Sequence, residues 1–248
     1  MKKKGREFLR VLVLALAAIM TMAGCASQGG ADARNTGQSA ADGNIIWAEG
    51  FDKMGTGQIA TTDFEEIGFN YYPAQQNTAT FNIQKQDGVS LLSMSKPADT
   101  PLGKASVFTL ARQFPSPLTG KISFETIIRL RNLPPLADFE GTGNMSAERW
   151  IFVNDTVITN NSKPKGVGVC FKEGKILCGG AAKEFALQTW YTVNIIVDTD
   201  AGTYDVTING EPLASGVPTT TAGIKQFGLY AYTNGSGIGI EDFQVTRR

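Results

Sequence analysis

Histidine is absent from the whole chain of 248 residues, cysteine occurs three times, and only 19% of residues are charged. Each shortage removes a class of chemistry. Without histidine there is no Ser-His or Cys-His nucleophile, no histidine metal centre and no His-based lyase mechanism. Two lone cysteines besides Cys25 make a poor zinc ligand set. The chain also lacks a G-x-S-x-G elbow, a phosphate-binding G-x-x-x-x-G-K-[ST] loop and a G-x-G-x-x-G turn. After residue 25 no stretch of ten or more residues shows helical spacing, and the longest apolar run, Val11 to Met20, is too short for a bilayer core about 30 Å thick.

What is present begins with a segment unlike the rest. Met-Lys-Lys-Lys-Gly-Arg precedes the Val11–Met20 run, and Thr21-Met-Ala-Gly-Cys25 follows it: a basic start, an apolar middle and a small-residue exit. Residues 1–24 read as a signal peptide and are set aside from the fold. Without them the chain has 18 basic and 22 acidic residues, a net charge of −4, which argues against nucleic acid or anionic lipid as partner. Ala26 to Asn44 holds no aromatic or large aliphatic residue and cannot build a core. It reads as a tether spanning on the order of 25 Å. A folded domain is expected over residues 45–248.

That domain alternates. Tyr191, Val193, Ile195 and Val197 fall on every second position, and the pattern resumes in Tyr204, Val206 and Ile208 after Asp198-Thr-Asp-Ala-Gly202. Period two on both sides of a turn predicts a hairpin. Further strands are expected at Thr80–Gln86 and Val89–Ser95, around Asp87-Gly88, and at Lys104–Phe114, which Pro115-Ser-Pro117 should end. Lys121–Arg131, Arg149–Val157, Gln226–Tyr232 and Gly237–Thr246 follow. Thr62–Thr78 reads as a long aromatic loop and Asn132–Ser146 as a variable one. Short strands with turn signals every 8–12 residues predict an all-β, two-sheet antiparallel sandwich.

Cys170 and Cys178 flank the hairpin signal Lys172-Glu-Gly-Lys175. A two-residue turn at Glu173-Gly174 sets Cys170 opposite Leu177, with the sulfurs on opposite faces. A three-residue loop sets Cys170 opposite Cys178 and permits a disulfide.

Two resemblances add to this. Met22-Ala23-Gly24-Cys25 resembles the lipobox of bacterial lipoprotein signal peptides, with Met22 in place of the usual leucine. It implies a diacylated, palmitate-type anchor on Cys25, and two chains suffice for stable membrane attachment. The implied location is the bacterial cell envelope, outside the cytoplasmic membrane. Phe51-Asp52, the run Trp190 to Asp198 with Gly202 to Gly210, and the closing Ile240-Glu-Asp-Phe-x-Val245 resemble concanavalin A-like lectin/glucanase domains, laminin G-like modules included. This implies a jelly roll, a fold that carries lectins, glucanases, lyases and adhesion modules alike.

The resemblance frames three expectations. Glycan binding needs aromatic faces and planar polar groups on strand faces, and Arg112, Glu125, Arg129, Trp150, Asn194 and Tyr232 are the candidates. Trp190 is expected in the core, and Glu125 beside Arg129 and Arg131 suggests an ion pair. A structural calcium joining the chain's two ends, as in many domains of this fold, would draw on Glu49, Asp52 and Asp242. Hydrolysis would need paired carboxylates. The Glu-x-Asp-x-x-Glu strand of laminarinase-type relatives is missing, and Asp63-Phe-Glu65-Glu66 and Asp138-Phe-Glu140 lie in irregular stretches. The leading expectation is therefore a carbohydrate-binding lipoprotein domain, with an atypical lyase or hydrolase, or a protein-binding adhesion module, as alternatives.

Overall fold

The computed structural model describes residues 44–74, 79–95, 106–130, 148–233 and 237–248. The signal peptide, Cys25, nearly all of the tether, and the Asn132–Ser146 loop with Arg131 lie outside the described residues. Among those described, two antiparallel sheets form a sandwich. The first contains β1 (Asn44–Glu49), β2 (Gly57–Gln58), β4 (Thr80–Gln86), β5 (Val89–Ser95), β7 (Lys121–Leu130), β12 (Trp190–Asp198), β13 (Thr203–Ile208), β14 (Glu211–Pro218) and β16 (Ile238–Arg247). Its order is β14-β13-β12-β7-β16-β5-β4-β2, with β1 also on β16. The second contains β3 (Asn70–Pro73), β6 (Ser106–Leu118), β8 (Glu148–Asn154), β9 (Val167–Lys172), β10 (Lys175–Cys178), β11 (Ala181–Glu184) and β15 (Ile224–Thr233). Its order is β11-β10-β9-β8-β15-β6-β3.

Alternation decides which side chains meet between the sheets. From the nine-stranded sheet come Ile122, Phe124 and Ile128 of β7 and Val193, Ile195 and Val197 of β12, all fully buried. From the seven-stranded sheet come Phe108 and Leu110 of β6, Ile151 and Val153 of β8, and Phe227 and Leu229 of β15. Aromatic rings stitch the two layers. Phe227 lies 5.2 Å from Phe124 and 5.4 Å from Phe243, while Phe81 meets Phe108 at 5.4 Å, mostly tilted or edge-on.

The hairpins close as their turn residues require. Asp87-Gly88, Glu173-Gly174 and Asn209-Gly210 each place two successive residues at positive φ, between 51° and 86°. That is the primed two-residue turn whose twist matches antiparallel strands. At Glu173-Gly174 this selects the register in which Cys170 pairs with Leu177. Both thiols are free, and the Cys170–Cys178 disulfide is not formed.

Other expectations are corrected. Thr62–Thr78 is not simply a loop: it contains the short helix α1 (Asp63–Glu66) and β3. Phe64 of that helix is fully buried against Tyr71 and Phe81, so the aromatics that made the segment look irregular organise it. Pro115 and Pro117 do not end their strand, because β6 continues to Leu118. The ladder jumps there from Gln113↔Gln226 to Leu118↔Ile224, so both prolines fall in a bulge where no ladder donor is needed. The edge strands β11 and β14 carry no alternating apolar signal and are additional to the expected set.

Phe227→Ala should destabilise the protein by about 3–5 kcal/mol, since it removes a ring shared by both sheets. Equilibrium urea unfolding checks this; a loss under about 1 kcal/mol would mean that the layers do not depend on this ring.

Candidate functional site

The outward residues of the seven-stranded sheet fall into rows set by strand register. One row runs Tyr72, Thr109, Tyr230, Trp150, Cys170 across β3, β6, β15, β8 and β9. The adjacent row on the same face runs Val107, Tyr232, Glu148, Lys172. Tyr72, Trp150 and Tyr232 are half-buried, and Tyr230 is 6% exposed. Tyr230, Ala111 and Phe152 form a small apolar cluster with Val107, Trp150, Ile158 and Tyr232, separate from the inter-sheet core. The result is an aromatic shelf on an outer sheet face. It is flat at Gly228, where a Cβ would sit 2.3 Å from the Leu110 carbonyl oxygen, and at Gly168, where one would sit 2.8 Å from that of Ile151.

One end of the shelf is walled by Asp155–Gly166, which follows β8 and folds back over the sheet. Two amide side chains pin it. Gln226 donates to the Ile158 carbonyl at 3.0 Å and accepts from its N–H at 2.9 Å, and Asn154 accepts from the Gly166 N–H at 3.0 Å. The loop brings Lys163 Nζ to 4.8 Å from the centre of the Trp150 ring.

Glu148 is the carboxylate of the shelf. It meets Lys163 at 2.7 Å and Lys172 at 3.3 Å, and it accepts from Trp150 Nε1 at 3.1 Å. Burial alone would raise its pKa, but these three donors hold it below the usual carboxylate range. Glu148 is thus a fixed anion. Burial, with Glu148 and Tyr232 close by, pushes the Tyr230 phenol up to about 12. Burial, and then Glu148, pushes the Cys170 thiol up to about 12 as well, so both groups are protonated near neutrality. Fixed donors, a paired anion and aromatic faces suit the recognition of a flat, hydroxyl-rich molecule. A proton transfer would need a group poised near the working pH.

The six candidates drawn from the sequence do not form one site. Trp150 and Tyr232 belong to the shelf. Glu125, Arg129 and Asn194 lie on the outer face of the opposite sheet. There Asn194 donates to Glu125 at 3.2 Å and accepts from Ser123 at 2.8 Å. Arg129 is not held by Glu125: its guanidinium lies 4.4 Å over the Trp190 ring and donates to Gln86 at 3.0 Å. Trp190 is buried, but on this outer face under Arg129 rather than between the sheets. Arg112 alternates with Phe108, Leu110 and Phe114. It therefore points inward, donates to the Gly68 carbonyl at 3.0 Å and lies 5.6 Å over the Trp47 ring.

The calcium expectation finds no ligand set. Glu49 accepts the Phe51 N–H at 2.8 Å, Asp52 is exposed and Asp242 sits on the nine-stranded sheet's outer face opposite Ile127. Among the described residues no three acidic or cysteine side chains converge as a metal site. Glu148, Lys163, Lys172, Tyr72 and Tyr230 were outside the candidate set. Trp150 and Tyr232 carry a signal in their type, and the Tyr230-Ala-Tyr232 spacing puts a second phenol on the same face; the rest depends on cross-strand register.

Asp242 stands apart. Burial, then the nearby Glu125 and Glu241, raise its pKa from 3.8 to about 7, opposed by the Ile127 N–H. The folded state therefore holds a proton that the unfolded chain has lost, and stability from this group falls as pH rises from about 4 to about 7. Burial raises Glu125 in the same sense. Asp242→Asn, which keeps the acceptor for Ile127, should raise the melting temperature at pH 8 and flatten its fall between pH 4 and 7. Calorimetry across that range tests this, and an unchanged slope would rule it out.

No family model matches the sequence, and no curated protein matches it. Solved structures do share the architecture. The chain resembles a GH131 beta-glucanase catalytic domain from Podospora anserina at 13% identity and TM-score 0.52, over 83% of this chain and 97% of that one. It also resembles a protein of unknown function with a galectin-like fold from Bacillus subtilis, at 11% identity and TM-score 0.48, over 84% and 99% of the two chains. A sialidase is matched at 10% identity and TM-score 0.48 over 83% of this chain, which spans 19% of the sialidase's length. The fold is a concanavalin A-like β-sandwich.

Proposed function

We propose that this protein is an envelope lipoprotein whose sandwich binds carbohydrate on the outer face of the seven-stranded sheet. The observation that carries the reading is the pair of adjacent rows that sets Tyr72, Tyr230, Tyr232 and Trp150 beside the fixed charges of Glu148, Lys163 and Lys172. Sugar rings stack on aromatic faces, while hydroxyls accept from ammonium groups and donate to a carboxylate. The beta-glucanase comparison supports the sandwich alone; the shelf is what points to a saccharide. Glu148 favours binding over hydrolysis, because two lysines and an indole N–H hold it as an anion rather than as an acid. The anchor would be Cys25, with the residues up to Asn44 lifting the domain from the membrane.

Two experiments test the two halves. In a glycan array followed by calorimetry, Trp150→Ala and Tyr232→Ala should each weaken binding of the best glycan about tenfold, or ~1.4 kcal/mol. Affinity indifferent to both changes would reject the shelf. Mass spectrometry should find a diacylglycerol on the N-terminal cysteine of the mature protein, and Cys25→Ser should move the protein from the membrane to the soluble fraction. An unmodified Cys25 in a membrane-free wild type would reject the anchor.

A further inference from the structure

Beyond the shelf, at the end where β8 runs out, the structure contains a cavity of about 720 Å³. That volume falls within the roughly 300–1,000 Å³ typical of small-molecule sites. One wall is the Asp155–Gly166 loop, the other is Pro218, at the end of β14, with Thr219, Thr220 and Thr221 of the connection to β15, and Tyr204 also lines it. The loop wall is fixed by the Gln226 and Asn154 hydrogen bonds described above. The second wall is ordered within itself: Thr219 Oγ1 donates to Thr221 Oγ1 at 3.0 Å and accepts the Thr221 N–H at 3.2 Å. The cavity is therefore preformed.

Its lining mixes polar and apolar surface, and its two ammonium groups differ: Glu148 already pairs with Lys163 at 2.7 Å, which leaves Lys165 as the cation for a ligand. Two ammonium groups, Lys163 and Lys165, accompany a single carboxylate, Asp155, which already accepts the Thr156 hydroxyl at 3.1 Å. Hydroxyl and amide groups make up most of the remainder. Lys163 belongs to both regions, since it lines the cavity while lying over Trp150 and pairing with Glu148. Three residues of strand separate Trp150 from Asn154 at the cavity rim, four steps that span about 13 Å. A ligand extended past Lys163 from the shelf would reach the cavity over that distance.

We infer that this cavity is a second subsite that takes an anionic sugar unit, carboxylate- or sulfate-bearing, of the glycan held on the shelf. Lys165 supplies the charge partner, and the threonine and asparagine groups match the ring hydroxyls. The inference rests on the carbohydrate-binding reading and adds the charge class of the ligand to it.

Calorimetry on the full-length chain tests it with three oligosaccharides of equal length: a uronate, its carboxyl-reduced neutral counterpart and a sulfated analogue. One anionic form or both should bind about tenfold more tightly than the neutral one, and the form that does identifies the group recognised. The preference should shrink with added salt, as expected for exposed charges. Lys165→Gln, at an exposed position, should erase the preference while leaving neutral affinity and melting temperature unchanged. Equal affinity for all three sugars, or a preference that survives Lys165→Gln, overturns this inference and leaves the shelf standing. Absence of binding by every sugar to the wild type overturns both.

Discussion

The packing of Phe227 between Phe124 and Phe243 is the constraint on which the rest of the molecule depends. It fixes the face of β15 that points inward, and with a side-chain period of two that choice fixes the other face as well. Tyr230 and Tyr232 stand outward because Phe227, Leu229 and Ala231 do not. A slip of one residue would bury two phenols between the sheets and expose three apolar side chains. The aromatic shelf is therefore a by-product of the core: the same phenylalanines that join the layers set the register that aligns Tyr72, Tyr230 and Trp150 across three separate strands.

Local chemistry in the sequence was enough for most of this architecture. Tyr191, Val193, Ile195 and Val197 alternate without interruption, and Asp87-Gly88 and Asn209-Gly210 are residues that accept positive φ, so both hairpins can be read directly. What stayed hidden depends on partners far away in the chain. Pro115 and Pro117 look like terminators until the bulge opposite Lys225 relieves them of ladder bonds. Phe64 and Phe69 look like loop residues until Phe81 and Phe243 are placed against them. Edge strand β14 packs Leu213, Ala214 and Val217 against the core, but register shifts break their spacing, so no period of two can be detected. Arg112 shows the converse error, in which residue type was weighed above position, and Trp190 is buried as expected but on the other side of its sheet. The arginine alternates with core residues, and the tryptophan falls on the outward face, buried beneath Arg129.

The candidate site was the least legible part for the same reason. Trp150 and Tyr232 carry a signal in their type and their place on a strand, but Glu148 gains its meaning only when register sets it beside Lys172 and the returning loop delivers Lys163. The two outer faces then separate by electrostatics. On one, Glu148 is stabilised as an anion by surrounding donors. On the other, burial and like charge make Asp242 easier to protonate, opposed by one backbone N–H. A perturbed carboxylate is a frequent mark of catalysis. Here the more strongly perturbed one lies on the face without the aromatic shelf, where Asn194 and Ser123 tie neighbouring side chains to one another across the strands.

That division of labour explains why recognition would fall to the Asp155–Gly166 loop. A sheet face offers only what register permits: side chains about 4.5–5.5 Å apart in fixed rows. Variation in what is bound has to come from a segment free of the ladder yet held firmly enough to present its groups in one geometry. Gln226 and Asn154 provide that hold with side-chain amides on the outward face, which leaves the core untouched. Between the two anchor points no residue belongs to a strand. Lys163, which reaches Glu148 and the Trp150 ring from within this segment, links the returning loop to the fixed shelf.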